Sequence, residues 1–90
     1  MQKNDYLVCY DISDPKRLRR VARYLEGECI RIQYSVFIAK SVTKERIYTI
    51  ADRLNELIDS KEDDVRIYKI KDKGIAMGVA FDLDEIFVIR

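Results

Sequence analysis

Two amphipathic stripes, each flanked by short β-type runs, limit what this chain can become. In the first, Leu18, Val21, Ala22 and Leu25 recur at i, i+3, i+4 and i+7. In the second, Ile47, Ile50, Ala51, Leu54, Leu57 and Ile58 keep the same helical period for longer. Asp14-Pro15 is a start signal for the first helix: a capping carboxylate, then a proline where its missing N–H costs nothing. Gly27 is expected to stop that helix in the left-handed conformation, so the helix is predicted over 15–26. Thr43 is placed to cap the second helix.

The runs YLVCY (6–10) and VRIYKI (65–70) read as strands. The run CIRIQYSVFIAK (29–40) would span roughly 40 Å as one strand at about 3.3 Å per residue, long for so small a domain. A bend or bulge near Gln33–Ser35 is therefore expected to divide it in two. The resulting order, βαββαβ, predicts an α+β ferredoxin-like sandwich with both helices on one face of the sheet. DSKEDD (59–64) reads as a polar loop and KDKG (71–74) as a turn. IAMGVAF (75–81) and IFVI (86–89) read as β segments beyond what the sandwich needs. We expect one domain over 1–90, with a C-terminal β extension from about 75 that pairs with a second copy's sheet to make a homodimer. Ninety residues that are 48% apolar leave surface for such a dimer, and a chain this short gains stability from it.

Composition excludes whole classes of chemistry. The chain has no histidine, so neither Ser-His-Asp and Cys-His arrangements nor a histidine base is available. Cys9 and Cys29 form no CxxC pattern and are expected to be reduced, buried small hydrophobes. No apolar run approaches the roughly 18 residues of a membrane span, and the first residues carry no secretory pattern, so a cytoplasmic protein is expected. Net charge is only +1, so any nucleic-acid surface has to arise locally. One such surface is visible. Lys16, Arg19, Arg20 and Arg23 lie opposite the first apolar stripe, Arg17 stands at its edge, and no acid interrupts them. A solvated helix face is the alternative reading.

Taken together, YDISD (10–14), the basic helix KRLRRVARYLEG (16–27) and RIQYSVF (31–37) resemble the CRISPR-associated protein 2 family over residues 6–39. The resemblance implies a ferredoxin-like homodimer, metal-dependent endonuclease activity on RNA or DNA, and partnership with the CRISPR-associated protein 1 integrase. The family's acidic residue at the end of the first strand maps onto Asp11, and its recurrent arginines and phenylalanine map onto Arg20, Arg31 and Phe37, with Arg17 and Arg19 nearby. From its position alone, Asp11 is as well suited to a loop hydrogen bond. As a metal ligand it fits Mg²⁺ or Mn²⁺: a hard ion that keeps several waters needs only one or two carboxylates, and a two-fold axis would supply the second. Tyr10, Ser13, Ser35 and Phe37 are expected in supporting roles, the serines as hydrogen-bond donors and Phe37 in the core or an interface. Two other functions share these features: a non-catalytic DNA-binding scaffold in an integrase complex, and a toxin-type ribonuclease resembling virulence-associated protein D.

Overall fold

The computed structural model describes residues 2–80 and 83. In chain order the elements are β1 (Lys3–Asp11), α1 (Pro15–Glu28), β2 (Ile30–Gln33), β3 (Val36–Thr43), α2 (Lys44–Leu57) and β4 (Asp64–Ile70). The strands form one antiparallel sheet in the order β2-β3-β1-β4. This is the α+β sandwich the periodicities imply.

Strand alternation sends Tyr6, Val8 and Tyr10 of β1 to one face, where they meet Phe37 and Ala39 of β3. Val21 and Leu25 of α1 and Ile47, Ile50 and Leu54 of α2 close over them, so both helices cover this face. The predicted stripes are thus the buried stripes. Each helix starts where the capping residue sits: Asp14 accepts from Arg17 N at 2.9 Å and Thr43 Oγ1 from Arg46 N at 3.1 Å.

The expected break in residues 29–40 is a tight turn at Tyr34–Ser35, with Ser35 in the left-handed region at φ 62°. A second left-handed serine, Ser41 at φ 55°, lies in β3 where the register with β1 shifts. Its N–H donates to the Asp5 carboxylate at 2.7 Å, which offsets part of the strain.

Two expectations need correcting. Gly27 does not stop α1, which continues to Glu28 and ends as the Cys29 N–H reaches Leu25 O at 2.7 Å. Cys29 is extended, at φ −136°, and leads directly into β2, so this exit needs no left-handed residue. Glu28 also pairs with Arg46 of α2, a contact no local helix-end signal shows. The second correction concerns 75–81. Residues 75–80 form no strand: Gly78 takes a φ of 67°, and Ala80 N turns back to Met77 O at 3.2 Å. Phe81 and the run 86–89 lie outside the described residues.

After β4 the chain crosses the sheet face away from the helices. Lys73 Nζ contacts Asp5 on β1 at 2.8 Å, and Ile75, Ala76, Ala80 and Leu83 adjoin Ile32 and Gln33 on β2. The predicted turn at 71–74 forms on the way, with Gly74 N donating to Asp72 at 2.7 Å. No helix among the described residues is long and apolar enough to cross a membrane.

Candidate active site and nucleic-acid face

Asp11 is the last residue of β1 and stands directly opposite Asp64, the first residue of β4. Both are exposed. Because Tyr10 faces the helices, Asp11 points to the other face of the sheet, on the same side as Leu7 and Cys9. Like charges opposed across a ladder repel, so this pairing costs stability at the strand end. Among the described residues no three metal-binding side chains converge. A hard ion such as Mg²⁺ takes as few as one or two protein oxygens and keeps waters elsewhere, so Asp11 and Asp64 are the residues here that could hold one.

Just beyond this pair the β1–α1 loop is bound to the α2–β4 loop. Arg17 grips Asp63 with two bonds, Nε to Oδ2 at 2.7 Å and Nη2 to Oδ1 at 3.1 Å. Asp63 Oδ1 also accepts from Ser13 N at 3.3 Å and Oδ2 from Asp59 N at 2.8 Å. Ser13 Oγ reaches Glu62 at 3.2 Å. The Asp63 side chain is wholly enclosed by these donors. Its carboxyl is held down at about 2, first by the Arg17 bond, with the Asp59 and Ser13 amides helping and burial opposing. A group whose folded value lies below its unfolded one stabilises fully above the unfolded value of 3.8 and ceases to as pH falls through the folded one. The melting temperature is therefore expected to drop between about pH 5 and about pH 2, less steeply in Asp63→Asn; calorimetry across that range checks it.

Tyr10, Arg31, Ser35 and Phe37 come together on the helix side. The Tyr10 and Phe37 rings stack at 6.2 Å, and the Arg31 guanidinium lies 5.0 Å over the Phe37 ring. Arg31 also approaches Glu26 at 3.9 Å. Tyr10 N donates to Ser35 O at 3.1 Å. Burial pushes the Tyr10 phenol above its usual range, opposed by Arg31 and a hydrogen bond from Ser35. Phe37 is fully buried, so it is core rather than a base-stacking surface. The cysteines are not bonded to each other, but both are part-buried rather than buried as expected; partial burial still raises both thiols, Cys29 to about 11.

Lys16, Arg19, Arg20 and Arg23 are exposed along α1, whereas Arg17 is engaged by Asp63. Arg19, Arg20 and Arg23 make no ion pair among the described residues. The sequence reading missed Arg53 of α2, which joins Arg20, Arg23, Tyr24 and Leu57 along a shallow groove of about 320 Å³. It missed Asp63 and Asp64 as well, because their partners depend on register. A wider cleft of about 570 Å³, lined by Asn4, Lys44, Tyr48 and Lys69 among others, lies at the opposite end of β1 and contains none of the expected site residues. If the α1 face binds phosphates, reversing Arg19 and Arg23 to Glu flattens the salt dependence of duplex binding by about two units of log–log slope. Fluorescence anisotropy over a KCl series measures this; an unchanged slope means the face is merely solvated.

A four-stranded antiparallel sheet with two helices on one face, and an exposed aspartate ending its first strand, define a ferredoxin-like α+β domain with a strand-end acidic site. The chain belongs to the CRISPR associated protein Cas2 family, whose model matches residues 4–77. A CRISPR-associated endoribonuclease Cas2 of Nitrosomonas europaea is 42% identical over 72 residues, covering 80% of this chain and 68% of that protein. The crystal structure of Streptococcus pyogenes Cas2 superimposes with a TM-score of 0.67 at 39% identity, over 74% of this chain and 86% of that one. A chain in a partial Cas6-RT-Cas1–Cas2 complex matches with a TM-score of 0.67 at 26% identity, over 77% and 75% of the two chains.

Proposed function

We propose that this chain is a metal-dependent endonuclease of the CRISPR adaptation system, cleaving phosphodiester bonds of RNA or DNA and acting with the CRISPR-associated protein 1 integrase. The observation that carries the reading is Asp11: an exposed carboxylate at a strand end, opposite a second carboxylate, in a family whose relative at 42% identity is named an endoribonuclease. The integrase partnership is supported by the neighbour found in a Cas1–Cas2 complex.

Asp11 would hold Mg²⁺ or Mn²⁺, together with Asp64 or with Asp11 of a second copy across a two-fold axis. Such an ion, when bound, polarises a phosphoryl oxygen and lowers the pKa of water, supplying what the absent histidine cannot. The chain's own task is to orient that carboxylate and to bind the nucleic acid around it. Exposed Lys16, Arg19, Arg20 and Arg23, and Arg31 on the β2 edge, lie on the helix side of the sheet and are suited to phosphates further along the strand than those next to Asp11.

A homodimer is part of this reading, and the surface supports it. Ile75, Met77 and Val79 are 89%, 79% and 104% exposed, an apolar strip that suits contact with a second copy.

The same basic face favours one other reading, a scaffold that holds duplex DNA and cleaves nothing. Cleavage of single- and double-stranded RNA and DNA, with Mg²⁺, Mn²⁺ or EDTA, separates the two. The endonuclease reading expects metal-stimulated cleavage of at least one substrate by a species that light scattering sizes as a dimer. Activity no higher than that of a mock purification, with DNA binding intact, establishes the scaffold.

A further inference from the structure

We propose that the Arg17–Asp63 pair is a positioning clamp for the Asp11 carboxylate, an inference that rests on the endonuclease reading. Asp11 and Asp64 end and begin their strands as a like-charged pair, where repulsion would fray the ladder. The clamp sits immediately outside it. On one side Asp63 directly precedes Asp64; on the other it holds the backbone of Ser13, two residues beyond Asp11. Both of its carboxylate oxygens are fully used, taking two guanidinium bonds and two backbone amides.

The arginine end is equally committed. Arg17 lies in the first turn of α1, where the helix dipole disfavours a cation, so its placement there is not explained by the helix itself. It is explained by the carboxylates around it: Asp14, which caps the helix and accepts the Arg17 N–H, and Asp63 and Glu62 across the gap. The result is a rigid frame running from α1 through Asp63 to the start of β4, with the Asp11 segment suspended between its ends. A two-point arginine fork defines direction as well as distance, which a lysine does not. Misplacing a reacting group by about 1 Å can cost on the order of 10²-fold in rate, so the orientation of Asp11 is worth a dedicated support. Neither residue needs to touch the nucleic acid.

The test uses Arg17→Lys, which keeps the charge and removes the fork, Asp63→Asn, which keeps an acceptor, and the double variant. Amide hydrogen exchange at Ser13 and Asp59 reads the clamp, and kcat and KM on the best substrate read its consequence. Each single variant is expected to speed exchange at both amides and to lower kcat about tenfold with KM changed less than about twofold, and the double variant to be little worse than either. A support for folding alone would lower the melting temperature while kcat per folded molecule stayed at the wild-type value; that result, or unchanged exchange at Ser13 in both single variants, overturns the proposal. If the wild type itself cleaves nothing, the endonuclease reading falls, and the exchange data alone decide whether the pair holds the Asp11 segment.

Discussion

Asp11→Asn is expected to fold and dimerise as the wild type does, and to lose metal-stimulated cleavage by at least about 10²-fold, the scale on which charge stabilisation at a reacting centre operates. Asparagine is nearly isosteric and keeps an acceptor oxygen, so any turn hydrogen bond survives. It lacks the negative charge that a hard divalent ion requires. Across a two-fold axis one substitution removes both carboxylates, which makes the loss larger than for a single peripheral ligand. The structure adds a sign that discriminates between roles. Because Asp11 faces Asp64, neutralising it relieves a cross-strand repulsion, and stability should stay level or rise by about 0.2–1 kcal/mol. A structural aspartate would behave in the opposite way, with a lower melting temperature and unchanged cleavage per folded molecule. Retained cleavage in a folded Asp11→Asn dimer sinks the metal-site assignment.

Phe37→Ala is expected to be the most damaging single truncation in the sheet, costing about 3–5 kcal/mol, the range for a buried phenylalanine. Phe37 is fully buried, central to the core, stacked on Tyr10 and covered by Arg31. Its loss opens a cavity between the sheet and the helices and leaves Tyr10 without its aromatic partner. For a domain of this size that corresponds to a fall in melting temperature of at least about 12 °C, readable by calorimetry or urea titration. Phe37→Leu, which keeps most of the volume, should cost much less. Equal costs for the two variants would mean that the site collapses around the deletion and that the packing here is looser than described.

Much of the fold was legible because it rests on local periodicity. The stripes at Leu18–Leu25 and Ile47–Leu57 became buried helix faces because a 3.6-residue period puts those side chains on one side whatever lies opposite. Asp14 and Thr43 cap their helices because the bond spans only three residues. The division of 29–40 was visible because a single strand there would be too long for the domain. Gly27 and the run 75–80 misled for one reason: composition shows what a backbone tolerates, not what it does. A glycine inside a helix and a left-handed glycine inside an apolar run look alike in sequence.

The site divides along the same line. Asp11 and the basic face of α1 could be named from sequence, since a strand-end position and a helical face are local properties. The facing of Asp11 by Asp64 and the grip of Arg17 on Asp63 could not. They join residues 53 and 46 positions apart through antiparallel register and loop closure. The sequence by itself determined which residues carry charge and which helix faces are buried. Only the tertiary structure decided that Arg17 is spent on Asp63 while Arg19, Arg20 and Arg23 face water, because an ion pair forms where folding brings two chain segments within about 4 Å, and no local period encodes that distance.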